Sequence, residues 1–272
     1  MVNISKKITI IAIISLPIIS LGLIFGLIGA LIGLLASIIL SIWFIITNVD
    51  RIIMYIYRAH HALPSESNEI RDKTRLLSER KGVREPSLYI TELELPGSFI
   101  IGKNMDSTAL IFPKRLIGIL KNEELDALLA FNIVQINNSI RKRTIVALIT
   151  GILTMSASAI RWGAVFMGFG DYDDPAPKLF SLFLMGLVAP PAATLIYSVS
   201  KEDIDSQAVN LCKDKNALIS AIQHLEENNI TGYPSLGYLC LVEPQKENFF
   251  ESLFNMHESK ESRMNKLAGQ KA

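Results

Sequence analysis

The sequence predicts a mainly α-helical membrane protein, with four transmembrane helices and an α+β domain carrying a small β-sheet on the cytoplasmic side. Three observations lead there. Half of the 272 residues are hydrophobic, and the mean hydropathy of +0.34 lies above that of an ordinary globular domain. The apolar residues concentrate in two long runs, 8–49 and 144–198, separated by polar sequence. Between the runs, short stretches alternate with period two, which is the pattern of half-buried strands.

The first run, Ile8 to Val49, is interrupted only by Gly, Ser, Pro17 and Thr47. A helix needs roughly 20 apolar residues to cross the hydrocarbon core, so the run suffices for two crossings. Gly26, Gly29 and Gly33 mark the expected turn between them. The run is too long for the apolar part of a signal peptide, and no small-residue cleavage site follows it. Lys6 and Lys7 precede it, and Arg51 and Arg58 follow. Basic flanks stay on the cytoplasmic side.

Residues 59–143 are polar. Ile70, Leu76 and Leu77 have helical spacing within residues 66–83. Strands are expected at Ser87 to Glu92, Ser98 to Ile101 and residues 107–113, followed by a short amphipathic helix over 114–120. Asn122 is the expected cap of the next helix, with Glu123, Glu124 and Asp126 at its positive end. That helix, read over residues 125–139, aligns Leu125, Leu128, Leu129, Asn132, Ile133, Ile136 and Ile140 on one stripe.

The second run yields a third crossing over 144–160, extendable to Phe169, and a fourth over 179–198 that contains Pro190 and Pro191. A membrane helix tolerates such prolines when neighbours satisfy the freed carbonyls. Arg141, Lys142 and Arg143 precede this hairpin and Lys201 follows it, while the connecting loop is acidic. The remaining residues are polar and helical, with Leu218, Ile222 and Leu225 on one face. The expected division is thus 1–50, a membrane hairpin; 51–143, the first part of a cytoplasmic domain; 144–199, a second hairpin; and 200–272, a helical part completing that domain. A multi-pass protein of the plasma membrane is expected, with its polar parts in the cytoplasm.

Composition excludes two classes of function. A net charge of +1 gives no basic field for nucleic acid. Two isolated cysteines, Cys212 and Cys240, make neither a disulfide framework nor a thiolate metal site, and read as free thiols.

The order of hairpin, sheet, helix, hairpin and helical tail resembles the HtpX family of integral-membrane zinc metalloproteases, relatives of the CAAX prenyl proteases. Local residues carry the resemblance along nearly the whole chain. "GSFIIG" (97–102) keeps Phe99 and Gly102 of the family's Asn-Ala-Phe-Ala-x-Gly strand. "RLIGIL" (115–120) and "NEELDALLA" (122–130) match the segments that enter the active helix. "PPAATLIYSVSKEDIDSQAVNL" (190–211) keeps the proline and alanines and places Glu202 on the third zinc ligand. "HESKESRMNKL" matches a terminal element through His257, Arg263 and Leu267. The resemblance implies a gluzincin-like α+β domain.

The departures fall on the chemistry. Where the family has Ala-His-Glu-x-x-His, this chain has "AFNIVQ". Phe131 stands for the first histidine, Asn132 for the catalytic glutamate and Gln135 for the second histidine. Two histidines four apart on a helix hold zinc while the glutamate takes a proton from the bound water. A phenyl ring has no lone pair to offer, and an amide is no base near neutral pH. Ser206 stands where an aspartate would support a ligand histidine. Glu202 is then a remnant ligand without partners. The chain's four histidines, His60, His61, His224 and His257, show no ligand spacing beyond the adjacent pair.

The resemblance also implies that Ser98, Phe99, Ile100 and Ile101 form an edge strand that receives extended peptide by strand addition; the alternative is an edge covered by neighbouring structure. The leading expectation is a catalytically inactive pseudoprotease that binds membrane-protein segments or regulates an active relative in membrane-protein quality control. It would need no cofactor, and its partners would be the lipid bilayer and those proteins. Two alternatives stay open: a zinc-dependent membrane endopeptidase with displaced ligands, and a structural subunit of a membrane complex.

Overall fold

The computed structural model describes residues 26–171, 174–177, 179, 203–228, 239–242 and 263. The chain divides into two compact units, Met1–Tyr57 and Arg58–Ala272.

In the first unit, α1 (Gly26–Thr47) is followed by the short α2 (Val49–Ile56). Of the three glycines expected to mark a turn, Gly26 opens α1 with a φ of 75°. Gly29 and Gly33 lie inside α1. Its described apolar side chains are exposed at Ile28, Leu31, Ile32, Leu35, Ile39 and Trp43. Side chains are described at only some of its positions, and counted over the described residues no helix is long and apolar enough to cross a membrane. The four expected crossings are therefore not established by the fold, and most of the fourth (179–198) lies outside the described residues.

The second unit is built on a sheet and a buried helix. Its elements are β1 (His60–His61), α3 (Pro64–Lys81), β2 (Ser87–Thr91), β3 (Phe99–Asn104), β4 (Ser107–Pro113) and a 3-10 turn (Lys114–Ile117). They continue with α4 (Asn122–Val134), α5 (Ile140–Phe166), α6 (Ile204–Cys212) and α7 (Lys215–Glu227). The sheet order is β1-β2-β4-β3, with β2 and β4 parallel and the other pairs antiparallel. The three expected strands are present, the second shifted to begin at Phe99. The juxtaposed histidines add a fourth: His60 and His61 pair with Ile90 and Tyr89 at one edge.

β3 and β4 form a tight hairpin, with a register shift between Gly102 and Asn104. The shift requires glycine. A Cβ on Gly102 would stand 2.8 Å from Thr108 Cγ2 and 2.9 Å from the Ser107 carbonyl oxygen.

One face of the sheet, Leu88, Ile90, Ile100, Leu110 and Phe112, belongs to the same core as Leu128, Phe131 and Ile133 of α4. α3, α6 and α7 pack around α4 as well. Enclosed in this way, α4 is buried on every side, not along a single stripe: every residue from Glu124 to Val134 except Asp126 is inaccessible. A helix apolar all round is a central helix.

Candidate functional site

α4 owes its position to charges at both ends. The expected cap, Asn122, is instead the first residue of the helix, and Lys121 occupies the cap position. Glu124 reaches back to accept from the Lys121 N–H at 3.0 Å, which satisfies a first-turn donor. Lys73 of α3 meets Asp126 Oδ1 at 2.8 Å and the Asn122 carbonyl at 3.3 Å. Two turns on, Lys81 donates to the carbonyls of Ile133, Val134 and Ile136. An ammonium there suits the negative end of the helix dipole.

The helix therefore stops at Val134, not at 139. Gln135 and Ile136 close it with bonds to the Asn132 and Ile133 carbonyls at 3.1 Å, and Asn137 Oδ1 accepts from the Ser139 N–H at 2.9 Å to turn the chain into α5.

A buried carboxylate ties this end of the core to α7. Glu124 accepts from Ser220 Oγ at 2.6 Å and lies 3.0 Å from His224 Nδ1. Burial pushes its pKa up, yet the bonds from Ser220, Lys121 and His224 outweigh burial and hold the carboxyl below its usual range. In the sequence Glu124 reads only as a helix-start acid, and nothing there points to a partner 100 residues away.

The three positions singled out by the sequence lie together in the core. Phe131 is packed and inaccessible. Asn132, fully buried, donates through Nδ2 to Ser98 Oγ at 2.7 Å and to the Leu128 carbonyl at 2.9 Å. The Asn132 amide can donate only through its nitrogen, so the contact with the Leu128 carbonyl assigns Nδ2 to that side. Asn132 Oδ1 has no hydrogen-bond partner among the described residues. Gln135, also fully buried, donates to the Leu239 carbonyl at 3.0 Å and has Arg143 Nη1 3.5 Å from its Oε1. Arg143, read from the sequence as a basic flank of a membrane span, is buried in this polar cluster.

The edge strand is not open along its length. Ser98, Phe99, Ile100 and Ile101 are all completely buried. α5 lies against β3, and the Gly102 N–H donates to Thr144 Oγ1 of α5 at 2.9 Å. Ahead of the strand, Cys240 Sγ stands 3.7 Å from the Gly97 carbonyl oxygen.

Glu202 and His257 lie outside the described residues. Ser206 is in the first turn of α6, where its N–H is 3.2 Å from Asp203 Oδ1. Its neighbour Asp205 makes a contact that the sequence reading missed. Arg263 forks onto Asp205 through Nε to Oδ2 at 2.7 Å and Nη2 to Oδ1 at 2.8 Å, and gives Nη1 to the Leu241 carbonyl at 3.0 Å. Planar bidentate pairing of this kind fixes geometry as well as charge. The remaining histidines are dispersed: His60 and His61 are exposed on β1, His61 Nε2 lies 3.0 Å from Tyr89 OH, and His224 serves Glu124. Among the described residues no group of three or more His, Cys, Asp or Glu could hold a metal ion.

No protein-family model matches the chain. Individual proteins do. A protein named "Protease HtpX homolog" from Desulfatibacillum aliphaticivorans is 28% identical over 230 residues, covering 81% of this chain and 74% of that protein. Proteins of the same name are 28% identical in Persephonella marina, with 80% of each chain covered, and 27% identical in Pyrococcus furiosus, with 84% of this chain and 80% of that one covered. Among solved structures, that of S. mikatae Ste24p aligns with a TM-score of 0.47 and 15% identity, over 96% of this chain and 64% of that one. This chain spans less than two thirds of the Ste24p length. Over about four fifths of its length, then, the chain is similar to proteins named "Protease HtpX homolog".

Proposed function

We propose that this HtpX-like protein is a pseudoprotease of the membrane, without zinc and without peptidase activity, that acts by binding membrane-protein segments or an active relative in membrane-protein quality control. One observation carries the reading. The amides of Asn132 and Gln135 are spent on Ser98, Leu128 and Leu239 inside a closed core. The side chains at 131, 132 and 135 do not fit a zinc ion, since a phenyl ring has no donor atom and neutral amides are poor ligands beside imidazole and carboxylate. Glu202 alone makes no site.

Membrane residence is supported by the apolar run 8–49 and by the outward apolar side chains of α1, with Trp43 toward its end as an interfacial anchor. In the second unit, Trp162, Phe166, Met167 and Phe169 are exposed at the end of α5, in keeping with lipid contact there. The basic flanks favour cytoplasmic placement of the polar parts and two membrane hairpins.

Metal analysis of the detergent-purified full-length protein tests the first claim. The expected result is well below one zinc per chain. Stoichiometric zinc that disappears with Glu202→Ala would favour the second reading, a zinc endopeptidase with displaced ligands, to which the names of the relatives point. Topology is tested by single cysteines in a Cys212→Ser/Cys240→Ser background. Asp171→Cys should react from outside the cell and Asp72→Cys only from inside.

A further inference from the structure

We propose that α2 lies in the cytoplasmic interface of the bilayer and holds an anionic phospholipid through Arg51 and Tyr55. The proposal rests on the membrane residence argued above and deepens it, by naming a lipid class and the residues that select it.

α1 carries no charged residue from Gly26 to Thr47, and the helix breaks where this apolar sequence ends. Thr47 Oγ1 donates to the Trp43 carbonyl at 2.7 Å, a back-bond of the kind that bends helices. Asn48 follows with φ −116° and ψ 20°, outside the helical range, and the chain becomes helical again at Val49. The first charges after the apolar run, Asp50 and Arg51, come directly after the break.

α2 has two unlike faces. Val49 and Ile53, four residues apart, are buried. Arg51 and Tyr55, also four apart, share the opposite face and are exposed. Beside them Ile52 is half-buried and Ile56 is exposed. Asp50, the only acid of α2, is half-buried rather than on the exposed face. A guanidinium and a phenol set among isoleucines suit the boundary between headgroups and acyl chains, where side chains with an apolar body and a polar tip collect. Among the described residues neither Arg51 nor Tyr55 has a hydrogen-bond or ion-pair partner.

The chemistry of the pair selects the lipid. A guanidinium forks onto two oxygens of a phosphodiester, and a phenol four residues on supplies a further donor. In a zwitterionic headgroup the ammonium already neutralises the phosphate, whereas in an anionic headgroup that charge is unmet. A single cation at the cytoplasmic surface then favours the anionic lipid by about fivefold. Trp43, exposed on α1, precedes Arg51 by eight residues, roughly 12 Å of helix. That distance sets its indole beside the acyl chains of a lipid whose headgroup is at Arg51.

Trp43 supplies the readout. The chain has two tryptophans, so full-length protein carrying Trp162→Phe keeps Trp43 alone, and lipids brominated on their acyl chains quench it on contact. In vesicles that mix phosphatidylglycerol and phosphatidylcholine, with either one brominated, the parent should prefer phosphatidylglycerol by about fivefold. Arg51→Gln should bring the ratio close to one, and Tyr55→Phe should lower it part of the way. Arg141→Gln removes an exposed charge at the start of α5 and should leave the ratio unchanged.

A ratio near one in the parent, or the parent's ratio retained in Arg51→Gln, would overturn the lipid site and leave membrane residence standing. An equal loss in Arg141→Gln and Arg51→Gln would also overturn it, since the preference would then follow overall charge. No quenching of Trp43 by either lipid would remove α1 from the bilayer and the lipid site with it.

Discussion

Replacing Asn132 by leucine together with Ser98 by alanine should leave the protein about as stable as the parent, or more so. The family resemblance pairs Asn132 with a catalytic glutamate, and the question is whether its amide does anything besides hold the core. The substitution removes two bonds from Nδ2, to Ser98 Oγ and to the Leu128 carbonyl. Each bond contributes a net ~0.5–1.5 kcal/mol, so the loss is about 1–3 kcal/mol. It also removes the buried Oδ1 that has no partner among the described residues, and an unmet buried acceptor costs about 1–3 kcal/mol. Two methyl-sized apolar groups in its place contribute roughly 0.8 kcal/mol each.

At their limits the terms sum to between about −0.4 and ~3.6 kcal/mol in favour of the double variant, centred near ~1.6 kcal/mol, provided the core accepts the same branched outline without overpacking. Ser98→Ala alone should cost about 1 kcal/mol, because it strands an amide hydrogen. Thermal unfolding in detergent reads these values, at about 2–4 °C per kcal/mol for a domain of this size. A loss beyond about 3 kcal/mol in the double variant would refute the reasoning: the polar pair would then be holding something whose removal the core cannot absorb.

Three further outcomes follow from the same core. Leu129 is fully buried on α4, so Leu129→Ala should cost ~2–5 kcal/mol in chemical unfolding, and an unchanged midpoint would deny α4 its central place. Glu124 has its pKa lowered by folding, so its stabilisation is complete above the unfolded carboxyl value of ~4.3 and is lost as pH falls through the lower folded value. Glu124→Gln should therefore flatten the acid limb of the stability profile below about pH 5, as seen in unfolding midpoints measured across that range. Finally, Phe131→His, Asn132→Glu and Gln135→His combined with Ser206→Asp should bind zinc before they restore any peptidase activity. Gln135 retains right-handed helical backbone angles, φ −70° and ψ −11°, so positions 131 and 135 share a face. A folded fourfold variant that binds no more zinc than the parent, by isothermal titration, would break the correspondence of these positions with a metal site.

What the sequence determined by itself is local. The short apolar run at residues 107–113, closed by Pro113, marks the strand that the structure places at Ser107–Pro113, and the spacing of Leu218, Ile222 and Leu225 marks α7. Both patterns belong to a single element, which the order of residues records directly. The identities of Phe131, Asn132 and Gln135 are equally legible, because residue identity is local information.

Tertiary structure decided whatever depends on a distant partner. α4 stops at Val134 because an ammonium from α3 collects its last carbonyls; its apolar run alone continues further. Arg143 reads as a membrane flank, and only packing shows it buried near Gln135. β1 is a strand only because β2 offers its edge to His60 and His61. Asp205 and Arg263 are 58 residues apart in the chain, and no spacing rule joins them. Hydrogen bonds and ion pairs of this kind gain their value from low-dielectric surroundings that exist only after the chain has packed, so the sequence carries their atoms without recording their pairing.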